Sequence, residues 1–363
     1  MGLPLAGAVV GVLFILTTAN PAGAVRPDPK KAPPGKKPAA KKPPAKKPPP
    51  PKIKFTLSTS KPRPGDPILV RVSGTATMPH GTAGRRRLVF FPVKNGWQAI
   101  FAVPLGDAPE AEDAEDEGSG FWDAWHGRAS AEAPAAADAK TAATTIKVSI
   151  ADAGPAKLLT VKPHSFPEEA ITIDPALANP PAAQAKEIDA DNAAVIAALR
   201  NNDPPMFRGR FRAPPGKKTS AFGNWRRFNQ SEHRSRHLGL DAAARKGAPI
   251  RAIQRGKVAL VRSGILMGGT VVVVHGAGVA SAYFHVSDFA VKSGEMVEPG
   301  QVLGKVGLTG RTTGPHIHVG VWARGGFVNP AVFFRLPISA PTNPESALAA
   351  GARHSGKGAR PHK

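Results

Sequence analysis

The sequence predicts a mainly β protein: a small β-sandwich, then a second β-rich domain, flanked by disordered basic tails. Three observations carry this prediction. Gly (38) and Pro (39) are both abundant while aromatics make up only 6%, a balance that favours short strands and turns over long helices. Short β-branched and apolar runs bounded by Gly, Pro, Asn and Asp recur on both sides of a single Ala-rich stretch. The ends are low in complexity and strongly basic: residues 26–52 hold ten Lys/Arg against one Asp, and residues 351–363 hold four and no acid, together 13 of the net +23 charges.

Residues 1–24 read as a signal peptide or an N-terminal anchor. Leu3 to Ala19 is apolar and nearly uncharged, and Pro21-Ala22-Gly23-Ala24 supplies an Ala-x-Ala end that fits cleavage after Ala24. No Lys or Arg precedes the apolar run, and its length is close to the ~20 residues a membrane span needs, so retention through residues 3–20 is the alternative to cleavage. Both readings place the protein in the cell envelope, periplasmic or extracellular, and argue against a nucleic-acid partner. Residues 25–54 are a Pro/Lys linker, in which like charges repel and Pro favours a stiff, solvated polyproline II spacer.

From Phe55 the pattern turns to strands. Phe55, Leu57 and Thr59 alternate, Pro62 to Pro67 turns the chain, and Ile68 to Val72 follows. Leu88 to Phe91 and Trp97 to Val103 flank an Asn95-Gly96 hairpin signal. Thr145 to Ile150 and Lys157 to Val161 complete a β-sandwich domain spanning 55–174, interrupted by an acidic surface insertion at 107–140. Residues 175–205 are a helical linker: Ile188, Val195 and Leu199 recur at helical spacing, and Asn201 to Pro205 stops the helix. Strands and Gly turns resume over 206–336, with no segment periodic enough for a substantial helix. Residues 337–363 form a disordered basic tail.

There is no cysteine, which excludes a thiolate metal site, a thiol nucleophile and a disulfide framework. The charge suits polyanions, and in an exported protein anionic envelope polymers are the partners the tails fit. Any metal ligands must be His, Asp or Glu. Three short stretches offer five such side chains: His237-Leu238-Gly239-Leu240-Asp241, Tyr283-Phe284-His285-Val286-Ser287 and Gly314-Pro315-His316-Ile317-His318. In extended chain, even separations put side chains on one side, so His237 with Asp241, and His316 with His318, each share a face while Ile317 points to the core. Two imidazoles and a carboxylate can hold zinc with one coordination position left open, and the remaining imidazoles can handle protons.

Residues 219–330 resemble the catalytic domain of the lysostaphin/LytM-type zinc metallopeptidases, the duplicated hybrid motif family. The resemblance is carried by Ser220-Ala221-Phe222-Gly223, the His237–Asp241 and Tyr283–Ser287 stretches, Gly247 to Ala252, Gly256-Lys257-Val258, Gly268-Gly269, Gly300 to Gly304, and Gly307 to His318. It implies a two-sheet antiparallel β fold for 206–336 with the metal in a long groove. It also implies one Zn2+ per catalytic domain held by His237, Asp241 and His318. His285 and His316 become the residues that orient or deprotonate water and stabilise the oxyanion, and the sequence does not choose between them as the base. The implied activity is an exported zinc endopeptidase cutting peptidoglycan peptides, in the stem or the cross-bridge. A catalytically silent regulator of other wall hydrolases is the alternative. His275 is expected to be structural. Nine Lys/Arg between Arg208 and Arg236 against one acid, Glu232, suggest a basic rim for the carboxylates of peptidoglycan stems.

Overall fold

The computed structural model describes residues 52–105, 144–230 and 234–342. The leader or anchor, nearly all of the Pro/Lys linker, the acidic insertion 107–140 and the tail beyond 342 lie outside the described residues. The first nine strands are β1 (Lys54–Leu57), β2 (Pro67–Ser73), β3 (Gly81–Ala83), β4 (Arg86–Arg87), β5 (Phe91–Val93), β6 (Gly96–Ala102), β7 (Thr145–Ile150), β8 (Lys157–Thr160) and β9 (Glu168–Ile171). A short helix α1 (Pro175–Ala178), a 3-10 turn (Ala182–Gln184) and helix α2 (Ala185–Leu199) follow. Then come β10 (Lys218–Ser220), β11 (Trp225–Phe228), β12 (Arg234–Arg236), β13 (Leu240–Ala243), β14 (Pro249–Arg251), β15 (Gly256–Gly264), β16 (Gly268–Gly276), β17 (Val279–Phe284) and β18 (Val286–Ser287). The last elements are β19 (Met296–Val297), β20 (Val302–Val306), β21 (His316–Ala323), β22 (Gly326–Val328) and the short helix α3 (Pro330–Phe333).

Two four-stranded sheets, ordered β1-β2-β6-β5 and β4-β3-β7-β8, face each other over a core that includes Val70, Val72, Trp97, Phe101, Val148 and Leu159. The hairpin signal is met: Gly96 pairs with Val93, and a Cβ at Gly96 would stand 2.1 Å from the Val72 carbonyl oxygen, so only glycine fits this approach. The other face of the β1-β2-β6-β5 sheet is buried as well. Leu69, Phe91, Ile100 and Ala102 share a second core with Phe207, Val321, Ala323 and Phe333 of the later domain. Phe91 and Phe207 meet edge to face at 5.1 Å, and Ala102 N–H donates to the Arg324 carbonyl at 3.0 Å. A sheet buried on both faces reads as consecutive apolar residues, which is what Ile68-Leu69-Val70 and Ala99 to Val103 supply.

The later domain is built on a sheet ordered β10-β13-β21-β17-β16-β15-β19, with β22 beside β21, and a smaller sheet β14-β20-β18. Every residue of β16 is buried. Val271 and Val273 point into the core shared with the sandwich, while Val272 and Val274 point the other way, beneath Val195, Ile196 and Leu199 of α2. The β-branched run is therefore one strand covered on two sides. The predicted helix forms over 185–199, but it packs on the sheet instead of spanning a gap. Its buried Asp191 accepts from Arg262 at 2.6 Å and from the Ile265 N–H at 3.0 Å.

Two segments depart from the expected boundaries. Residues 166–174, assigned by sequence to the sandwich, leave it: β9 pairs in parallel with β11 of the later domain. At the other end, residues 337–342 pack along the sandwich. Ile338 is buried, Gln98 exchanges two hydrogen bonds with Ser339, and Thr342 N–H donates to Pro92.

Candidate metal centre

The site lies on the α2 face of the large sheet, beyond the end of the helix. Strand alternation puts it there. On β21, Ile317, Val319 and Val321 fill the shared core, which turns His316 and His318 to the opposite face. On β13, Leu240 and Ala242 do the same and turn Asp241 outward, and the antiparallel register sets Asp241 directly across from His318. Phe284 lies across His318 on its other side, so His285 begins just past the end of β17. His237 precedes β13. Its motif requires glycine at the centre, since a Cβ at Gly239 would meet His318 Nε2 at 2.2 Å.

These five side chains come together. Asp241 Oδ1 is 3.1 Å from His237 Nε2, 3.1 Å from His318 Nδ1 and 3.5 Å from His316 Nε2. The rings of His285 and His316 are 5.1 Å apart, and those of His285 and His318 5.9 Å. Potential ligand atoms of His237, Asp241 and His318 all lie within 4.8 Å of one another, as do those of His285, His316 and His318. All of these groups are buried except His316, which is partly exposed.

The donor chemistry of the first set fits a cation. His237 Nδ1 donates to the Ala221 carbonyl at 2.8 Å, which leaves Nε2 as a lone pair aimed at a carboxylate oxygen. His318 Nδ1 is close to Asp241 Oδ1 but poorly directed, so neither of its ring nitrogens has a hydrogen-bond partner, although both are buried; His316 Nε2 is in the same position. Buried polar atoms are normally satisfied, because an unpaired one costs ~1–3 kcal/mol. Lone pairs converging on one point without protons between them are what a divalent ion satisfies. His237, Asp241 and His318 combine two imidazoles with a carboxylate, the mixed donor set that suits zinc.

Electrostatics follow from burial. The His285 imidazole is pushed down to about 3, first by desolvation and then by its histidine neighbours. His318 falls to about 4 for the same first reason, against the pull of Asp241. Burial would raise the Asp241 carboxyl, but His237 and His318 outweigh it and hold the group well below the usual carboxylate range. His285 donates from Nδ1 to the Thr309 carbonyl at 2.8 Å, and His316 from Nδ1 to the Gly314 carbonyl at 2.8 Å. Both therefore keep Nε2 as the free lone pair. His285 also has a left-handed backbone (φ 58°), fixed by His285 N–H to Met267 O and Gly307 N–H to His285 O. Strain of this kind in a non-glycine residue persists only where surrounding bonds impose it.

The basic rim expected between Arg208 and Arg236 is not a free surface at its second half. Arg226 reaches the other carboxylate oxygen of Asp241 at 2.5 Å and Glu169 at 3.4 Å. Arg227 and Arg234 pair with Glu168, and Arg236 is buried against Trp225, its guanidinium 3.6 Å from the ring centre. Glu169 lies 72 positions before Asp241, and no sequence spacing marks it. Arg226 was visible only as one charge among nine. Thr309 serves through its carbonyl, while Thr312 Oγ1 bonds the Gly314 carbonyl at 2.7 Å beside His316. His275 lies away from the cluster. His233 falls outside the described residues.

Residues 235–330 match the model of Peptidase family M23. The DD-carboxypeptidase/endopeptidase Mpg of Neisseria meningitidis is 39% identical over 111 residues, 31% of this chain and 25% of that protein. The peptidoglycan DD-endopeptidase ShyB of Vibrio cholerae is 36% identical over 121 residues, 33% of this chain and 28% of that one. The chain thus spans about a quarter of the length of these curated relatives. A crystal structure from Pseudomonas aeruginosa, assigned to peptidase M23, is 27% identical, covers 75% of this chain and 95% of its own, and superposes with a TM-score of 0.52. Residues 235–330 are thus a peptidase M23 domain of the LytM type, in a chain whose mainly β, antiparallel architecture is of that kind.

Proposed function

We propose that the protein is an exported, zinc-dependent endopeptidase that hydrolyses peptide bonds of bacterial peptidoglycan. The observation that carries this is the convergence of His237 Nε2 and the buried, unpartnered His318 Nδ1 and His316 Nε2 on one oxygen of Asp241. The Vibrio relative, named as a peptidoglycan DD-endopeptidase, points to peptidoglycan as the substrate.

His237, Asp241 and His318 are the residues that hold the ion. Zinc, when bound, supplies Lewis acidity: it polarises a peptide carbonyl and acidifies water. The chain supplies the rest. His285 is neutral throughout the neutral range, and its Nδ1–H is committed to Thr309, so its Nε2 accepts a hydrogen bond from an attacking water. His316 presents the same tautomer from the other side of the pair. Either ring can take the proton at Nε2 and return it as N–H, to the developing oxyanion or to the leaving amine. Arg226 restrains the carboxylate oxygen of Asp241 that faces away from His237, which fixes the orientation of the first. No helix among the described residues is long and apolar enough to cross a membrane; the proposed leader or anchor precedes them.

The test is digestion of purified cell wall by the full chain, with and without a chelator. New peptide amino and carboxyl ends should appear, stop with chelation and return with zinc. Release of no ends under any of these conditions would favour the silent regulator instead.

A further inference from the structure

One heavily bonded segment beside the site is not part of the sheet that carries it. After β8 the chain crosses to the later domain and lies along the β11–β12 hairpin for thirteen residues. Phe166 sits over Gly223, where a Cβ would come within 2.1 Å of its ring. Trp225 N–H donates to the Pro167 carbonyl, β9 then pairs with β11 from Trp225↔Glu168 to Phe228↔Ile171, and Asn229 N–H donates to Ile171 O. The Asn229 side chain holds both the N–H and the carbonyl of Ile173 at 2.9 Å. Arg311, from the loop before His316, donates to the carbonyls of Leu177 and Ala178 while stacking on Phe228.

The strap is acidic where the hairpin is basic. Glu168 takes Arg227 at 2.6 Å and Arg234 at 3.7 Å. Glu169 takes Ser220 at 2.9 Å, Asn224 at 2.8 Å and Arg226 at 3.4 Å, and Arg226 in turn holds Asp241. So an extended peptide with two adjacent carboxylates lies docked one side chain away from a proposed metal ligand. The cavity left between the hairpin and His285 and His318 is ≈ 40 Å³. Arg226 and Arg311 line it as well.

We propose that the β11 edge, with Ser220, Asn224, Arg226, Arg227 and Arg234, is a seat for an extended peptide bearing carboxylates, and that residues 166–178 are its internal occupant, which an acidic peptide substrate displaces. Strand addition at this edge supplies backbone hydrogen bonds, and the two guanidinium clusters on either side select for charge. The identity of the substrate rests on the peptidase reading above; the existence of the seat does not.

The experiment uses the full chain with two alterations, Glu168→Gln with Glu169→Gln, and separately Ile173→Asp, which removes an apolar anchor of the strap. Hydrogen exchange of the 168–173 amides reports whether the strap opens. Two labelled peptides probe the seat, one with the sequence of residues 166–173 and one with Gln for both Glu, each titrated onto chelated and zinc-loaded protein. The expectation is faster exchange in the strap and acidic-peptide binding about tenfold tighter than in wild type, with the Gln peptide at least about tenfold weaker than the acidic one, the change that ~1.4 kcal/mol produces. A strap that stays protected in both variants overturns the proposal, as does a freed strap with no gain in acidic-peptide binding. Tight acidic-peptide binding with no hydrolysis of any substrate would uphold the seat and count against the peptidase reading. Hydrolysis without that gain would do the reverse.

Discussion

Two clusters of buried histidine lie in the same sheet and have opposite bonding. His275, at the end of β16, is fully enclosed, with Nδ1 donating to the Arg255 carbonyl at 2.8 Å and Nε2 2.8 Å from Ser281 Oγ. Ser281 Oγ is 3.1 Å from Tyr283 Oη, and Tyr283 Oη accepts from Ile253 N–H at 2.8 Å. Every polar atom in that chain has a partner. Two strands over in the same sheet, His318 has none for either nitrogen. Both rings are equally buried, and burial lowers both to about 4. Neither burial nor a shifted pKa separates a structural histidine from a metal-binding one here. The distinction lies in the lone pairs left over once hydrogen bonds are assigned, because evolution tolerates an unsatisfied buried group where something else satisfies it.

The contrast can be broken by substitution. The largest effect is expected at His316→Ala, which should keep its metal and lose ~10²–10⁴-fold in turnover, the usual contribution of a positioned acid or base; wild-type turnover in a folded variant would remove His316 from the proton chemistry. Next is His275→Ala, which strands the Arg255 carbonyl and Ser281 and should cost ~2–4 kcal/mol in denaturant unfolding while metal content stays at the wild-type level. Equal metal loss there would erase the distinction between the clusters.

A smaller, graded effect concerns pH. His275, buried neutral with a folded value of about 4 against 6.5 for the free side chain, takes up its proton only in the unfolded chain between those values. Its contribution to stability is complete above pH 6.5 and is lost as pH falls toward 4. The metal-free protein should therefore lose roughly 1.4 kcal/mol per pH unit for each such histidine. Flat stability from pH 7 to 5 would show that these rings are not held neutral.

Much of this was readable from the residues. Alternation on His316-Ile317-His318 was enough to put that pair on one face, since a strand's period of two is local; His237 lies before β13, so its meeting with Asp241 does not follow from strand alternation. The β-branched run Thr270 to Val274 identified a strand, though not that it is covered on both sides, because that depends on which element packs above it. Ile68-Leu69-Val70 likewise gave a strand but not the sharing of its sheet between two cores. The neighbours of Asp241 were out of reach for a different reason. Glu169 arrives through a parallel pairing of β9 with β11, and nonlocal pairing leaves no periodic trace. The arginines opposite it looked like a surface rim because a charge count cannot show that two glutamates upstream are their partners.

The most direct test is metal analysis of the zinc-loaded full chain beside its His237→Ala, Asp241→Ala and His318→Ala variants, each shown to be folded by circular dichroism. One equivalent in the wild type and almost none in the three variants is the expected outcome. A full equivalent retained by folded His318→Ala or Asp241→Ala would mean that the ion, if any, sits elsewhere and that the converging lone pairs have another purpose.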